Sequence, residues 1–135
     1  MPLGHLGLNV HDLEASRAYY AQIMGPLGFE LFLDHPDEFA YRPTGGKPGT
    51  FLFFYPEQQA PIEPYSRHAT GLQHLAFIVR SRSDVIAVRD TVAALGSEIV
   101  HEPQVFPQYP QPYFATFWLD PSGFLLEAVC HHDRD

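Results

Sequence analysis

Apolar residues in this chain fall alternately into short runs and into helical spacing, and the whole alternation is played twice. Residues 3–10 alternate loosely and predict a first strand. Asp12 then offers an N-cap to a helix running to about Gly25, with Leu13, Tyr20, Ile23 and Leu27 as its apolar face. Gly25-Pro26 and Gly28 stop that helix, because proline cannot continue the backbone ladder and glycine takes a left-handed cap at little cost. Residues 29–33 read as a strand, Asp34-His35-Pro36-Asp37 as a turn and 39–42 as the returning hairpin strand. Residues 44–49 form a loop, and 50–55 are nearly all apolar, the pattern of a strand buried on both faces.

Residues 56–71 are proline-rich and aperiodic, which predicts a linker, about 57–71, running over the surface between two modules. A strand over 72–79 opens the second module. Ser81 with Asp84 three residues later makes a capping-box start for a helix whose apolar face is Val85, Val88, Val92 and Leu95 and whose stop is Gly96. A short strand follows at 99–100, then a proline-rich loop over 103–112 and a strand over 113–119. Asp120-Pro121-Ser122-Gly123 is a turn with proline in its favoured second position, and 124–130 is the last strand, leaving a frayed tail. The halves look like copies at two places: Gly4-His5-Leu6-Gly7-Leu8-Asn9-Val10 against Leu72-Gln73-His74-Leu75-Ala76-Phe77-Ile78-Val79, and, with one residue deleted between them, Leu27-Gly28-Phe29-Glu30 against Leu95-Gly96-Ser97-Glu98. The organisation predicted is one α+β domain over 1–135, built from a module at about 3–56 and another at about 72–130.

Composition narrows the classes. With 135 residues, 45% hydrophobic and 18% charged, the chain can bury one ordinary core and is outside the range of disordered sequences. Cys130 is the only cysteine, so an intramolecular disulfide and a multi-cysteine zinc site are excluded, and a buried apolar thiol is its expected role. A formal net charge of −8 opposes binding to a phosphate backbone, so nucleic acid is not an expected partner. Neither a secretory n-region nor an apolar run of roughly 20 residues is present, from which a cytoplasmic protein without a membrane partner is expected.

Candidate chemistry centres on Glu127, which every neighbour in Phe124-Leu125-Leu126-Glu127-Ala128-Val129-Cys130 surrounds with apolar side chains. A carboxylate in a core strand costs several kcal/mol unless it is paired, protonated or bound to a metal. Alternation puts Glu127 on the face of Leu125 and Val129, which must therefore look into something polar. His5 and His74, at matching places in the repeated first strands, would meet it by pseudo-twofold symmetry.

These residues, from His5-Leu6-Gly7-Leu8-Asn9-Val10-His11-Asp12-Leu13 to Asp120-Pro121-Ser122-Gly123-Phe124-Leu125-Leu126-Glu127, make the chain resemble the vicinal oxygen chelate superfamily of glyoxalases, bleomycin-resistance proteins and extradiol dioxygenases. The resemblance implies two βαβββ modules forming a curled mixed sheet around a metal-binding cleft. It implies a divalent ion (Zn, Ni, Mn or Fe) on His5, His74 and Glu127, a small substrate with vicinal oxygens, and a homodimer. Glu127 is also the expected catalytic residue. The family's fourth ligand position falls on a phenylalanine, Phe53 or Phe54 depending on register, which departs from glyoxalase I. Two histidines and a carboxylate leave open coordination sites, and a metal so held acts as a Lewis acid. Lyase, isomerase or related chemistry is the leading expectation. The alternatives are a dimeric binder that sequesters a cationic aromatic compound, which the negative charge and aromatic content favour, and a small dioxygenase. Phe53, Phe54 and Tyr113 are taken as substrate-binding, while His11, His35, His68 and His101 are read as ordinary surface or core residues.

Overall fold

The computed structural model describes residues 3–135 and divides the chain into two compact units, the first ending at Pro64 and the second spanning Tyr65–Asp135. The first carries β1 (His5–Val10), α1 (Leu13–Ile23), β2 (Phe29–His35), β3 (Glu38–Pro43) and β4 (Phe51–Pro56), with a 3-10 turn at Thr44–Gly46. The second carries β5 (Leu75–Val79), α2 (Arg82–Ala94), β6 (Ile99–Val105), β7 (Phe114–Leu119) and β8 (Leu125–Cys130). Each unit is thus βαβββ. The sheet orders, β1-β4-β3-β2 and β5-β8-β7-β6, are the same arrangement repeated, with the first and last strands of each unit parallel and the other pairs antiparallel. Both sheets are open, with β1 and β2 at the edges of one and β5 and β6 at the edges of the other.

The helices start and stop where their side chains dictate. Asp12 Oδ1 accepts the Ala15 amide at 3.0 Å, and Ser81 Oγ accepts the Asp84 amide at 3.2 Å, each satisfying a donor that the first turn leaves free. Gly28 and Gly96 sit at φ of 89° and 90° after the two helices, a left-handed geometry that a Cβ would oppose. In the first unit α1 buries Tyr19, Tyr20 and Ile23, and Tyr20 meets Phe54 at 4.4 Å between ring centroids while Phe39 stacks on Phe54 at 4.7 Å. In the second, α2 buries Val85, Val88 and Val92 and packs on β6, β7 and β8. Among the described residues no helix is long and apolar enough to cross a membrane.

Several expectations are corrected. β4 is buried on one face only: Leu52 and Phe54 point into the core, whereas Phe51, Phe53 and Tyr55 stay partly exposed beside Phe32 and His5. Leu95 follows the last turn of α2 and is 42% exposed, so the helix face ends at Val92. β2 extends through His35, leaving only Pro36-Asp37 to turn. Pro103 lies inside β6 instead of opening a loop; β6 is an edge strand with an irregular register at this point, where a missing N–H costs no ladder bond. β5 begins at Leu75 rather than Leu72, and residues 65–71, expected to be linker, belong to the second unit. Tyr65 fixes them, its hydroxyl donating to the Leu72 carbonyl at 2.6 Å and its ring meeting Phe124 edge-on at 4.8 Å. The tail is tied back rather than frayed, since the Arg82 amide donates to the Arg134 carbonyl at 3.0 Å and the Arg82 guanidinium pairs with Asp133 at 3.1 Å.

Candidate functional site

β8 is flanked by β5 and β7, and every residue in it is buried. Its alternation sends Leu126, Ala128 and Cys130 to one face and Leu125, Glu127 and Val129 to the other, where Leu125 and Val129 join Phe106, Ala115 and Phe117 in an apolar cluster. Glu127 is therefore carried into that cluster by the same periodicity that buries its neighbours, with no exposure at all. Neither Arg42 nor Arg80 neutralises it: Arg42 pairs with Glu30 at 3.0 Å and Arg80 with Asp84 at 3.7 Å.

Its two oxygens have different surroundings. Oε2 accepts a hydrogen bond from the Tyr113 hydroxyl at 2.6 Å. Oε1 lies 3.1 Å from His74 Nε2, but off the line that a hydrogen bond needs, so this buried oxygen accepts none. His74 directly precedes β5 and is half-exposed, and its Nδ1 is held by the Gln73 side-chain oxygen. With that oxygen as acceptor, Nδ1 carries the ring hydrogen, leaving Nε2 with a lone pair that stands beside Oε1 without pointing along the line to it. Two electron-rich atoms this close can be bridged by one metal ion that both reach. Donors roughly 2.0–2.2 Å from one ion, at right to tetrahedral angles, stand about 3.0–3.5 Å apart, and the observed 3.1 Å fits that span. His74 and Glu127 therefore suit two corners of a divalent metal's coordination shell.

Tyr113 is the outer partner that orients Glu127. Its hydroxyl pKa is raised above the ordinary phenol range, first by burial and then by the bonded Glu127 carboxylate. The folded protein thus keeps this proton where the unfolded chain has lost it. The contribution is intact below about pH 10 and is lost as pH rises past that point toward the folded value. Tyr113→Phe is expected to cost about 1–3 kcal/mol at neutral pH, because Oε2 loses its donor. It should also flatten the alkaline loss of stability in urea titrations. Tyr41 and Tyr65 are raised by burial as well, so the reading is the difference between variant and wild type; identical alkaline slopes would contradict it.

The first unit carries the counterpart. Ala76, two residues after His74, is in register with Glu127; Gly7, two residues after His5, is in register with Phe53. Phe53 is thus the residue that stands where the second unit has its carboxylate, and its ring meets His5 edge-on at 5.3 Å. Phe54 points the other way into the core with no exposed surface, so of the two phenylalanines expected to bind substrate it is the one placed as a core residue. Among the described residues no three histidine, cysteine, aspartate or glutamate side chains are grouped so as to hold a metal within the chain.

His74, Glu127 and Tyr113 line a cavity of about 360 Å³ wholly within the second unit, together with Arg67, His101, Tyr109, Phe106 and Phe117. Sequence reasoning missed Arg67 because it was assigned to the linker, and His101 because the strand was ended one residue before it. His101 meets Phe106 and Phe117 edge-on at 5.7 and 5.3 Å, and it lines the cavity beside its neighbour Val100 where the β6 register shifts between Ile99 and His101, an irregularity that simple alternation does not signal.

Comparison with known proteins bears on the whole chain. The sequence profile of the Glyoxalase/Bleomycin resistance protein/Dioxygenase superfamily matches residues 3–128. The uncharacterized protein YqjT of Bacillus subtilis (strain 168) is 26% identical over 126 residues, covering 93% of this chain and 95% of its own. A provisionally assigned glyoxalase of Bacillus halodurans superposes with a TM-score of 0.81 at 30% identity, over 95% of this chain and 94% of that one. A lactoylglutathione lyase from Agrobacterium tumefaciens gives a TM-score of 0.64 at 21% identity over 95% and 92%, a likeness of fold.

Proposed function

Because the chain belongs to the Glyoxalase/Bleomycin resistance protein/Dioxygenase superfamily, we propose that it is a metal-dependent enzyme for a small substrate carrying neighbouring oxygens, with His74 and Glu127 as metal ligands. The observation that carries this reading is the fully buried Glu127 Oε1, which accepts no hydrogen bond and lies beside His74 Nε2. The ion when bound supplies Lewis acidity, stabilising negative charge that develops on a substrate oxygen. The chain's own groups do the rest. Tyr113 fixes the Glu127 carboxylate and keeps its hydroxyl protonated, Gln73 fixes the His74 ring, and the aromatic wall of Phe106 and Phe117 limits water. In this reading Glu127 would also serve as the base that takes up a proton from a substrate carbon, which suits isomerase or lyase chemistry. A homodimer is part of the proposal, and sedimentation reads it directly.

Acetohydroxamate, whose two oxygens chelate as the substrate's would, tests the site. Calorimetry should show it binding to zinc-loaded wild type and failing to bind chelator-stripped wild type or zinc-treated His74→Ala. Equal binding in all three would overturn the proposal.

A further inference from the structure

We infer that the second-unit cavity is built for an anionic substrate, a small aromatic acid whose carboxylate faces Arg67 while its ring lies against Phe106, Phe117 and Tyr109. The inference rests on the proposed active site only in taking this cavity as the place where substrate sits.

The protein is acidic, with 8 Lys and Arg against 16 Asp and Glu, so a guanidinium rarely lacks a carboxylate. Arg17, Arg42, Arg80, Arg82 and Arg89 each have one within 4 Å. Arg67 and Arg134 have none among the described residues; Arg134 is exposed in the tail, whereas Arg67 is partly buried, lines the cavity and is engaged by no hydrogen bond. A guanidinium offers several donors in a fixed fork matched to a carboxylate. Its position is set by the loop, since Tyr65 anchors the chain just before it to Phe124 and to the Leu72 carbonyl. The backbone of the next residues is turned by the His68 amide donating to Ser66 Oγ at 3.1 Å and the Ala69 amide donating to the Ser66 carbonyl at 3.2 Å. Glu127, the one acid among the described residues lining the cavity, has Oε2 taken by the Tyr113 hydroxyl and Oε1 beside His74, and no ion pair joins it to Arg67.

The walls define the rest of the ligand. Phe106, Phe117, Tyr109 and Tyr113 contact one another with ring centroids 4.7–6.4 Å apart, and a surface of this kind holds a planar apolar body. The cavity volume of about 360 Å³ is that of a small-molecule site. An unpaired arginine in such a place selects against a cation, which separates this inference from the sequestration of cationic aromatic compounds.

The test compares three two-ring probes of one shape: 2-naphthoate, neutral 2-naphthamide and cationic 2-naphthylmethylammonium, titrated calorimetrically into full-length protein both stripped of metal and loaded with zinc. In wild type the carboxylate should bind at least about tenfold more tightly than either analogue, the discrimination of a charge-assisted bond. Arg67→Gln should erase that advantage with the neutral probe unaffected, while Arg67→Lys should keep part of it; circular dichroism confirms that both variants are folded. Equal affinities for the three probes, preference for the cation, or an advantage that survives Arg67→Gln would overturn the inference. If zinc changes nothing while the Arg67-dependent preference stands, the metal assignment fails and this inference does not.

Discussion

Glu127→Gln is expected to leave the metal-free protein folded and to remove most of its stabilisation by metal. The amide keeps the shape of the side chain, can still accept from the Tyr113 hydroxyl, and removes a fully buried charge. The metal response is another matter. An ion bound only to the native state stabilises it by about 2.7 kcal/mol at a hundred times its dissociation constant; a hundredfold weaker site, at the same concentration, gives about 0.4 kcal/mol. For a chain of this length that is a rise in melting temperature on the order of 10 °C in wild type against about 1–2 °C in the variant. Thermal melts after chelation, with and without zinc, separate the cases. If Glu127 served structure alone, the variant would melt lower without metal, and zinc would shift both proteins equally.

Phe54→Ala is expected to destabilise the protein by about 3–5 kcal/mol, and Phe53→Ala by far less. The two are neighbours of the same type, yet the pleat turns them to opposite faces. Phe54 is fully buried against Tyr20 and Phe39, so truncation leaves a cavity in a stacked aromatic core. Phe53 lies on the half-exposed face beside His5 and Tyr55, where solvent can fill the gap. The loss at Phe54 is a large share of the 5–15 kcal/mol of a typical domain. Urea unfolding measures both, and equal costs would refute the register that makes Phe53 the counterpart of Glu127.

That register shows where sequence reading stops. The internal repeat, the helix caps at Asp12 and Ser81 and the isolated Glu127 were legible because each rests on local chemistry: a periodicity, a capping oxygen, a charge among apolar residues. The Phe53–Phe54 ambiguity was not, because the run from Phe51 to Tyr55 is apolar at every position and carries no alternation; only pairing with β1 decides which side chain faces His5. Two histidines show the same division. His74 stood out because the first repeat has its equivalent in His5, whereas His101 has none and reaches the cavity only because β6 continues through Pro103 at a sheet edge. Arg67 was hidden for a further reason. Its stretch has the composition of a linker, and the contacts that fix it, Tyr65 on Phe124 and on the Leu72 carbonyl, join residues whose proximity no local pattern signals.

The central claim is that His74 and Glu127 hold a divalent ion, and the metal content of protein purified without chelator tests it most directly. Wild type, His74→Ala and Glu127→Gln are to be analysed side by side after dialysis against zinc, with circular dichroism to show that all three are folded. The account predicts about one ion per chain in wild type and a small fraction of that in either variant; equal metal in all three, or none in wild type, would contradict it.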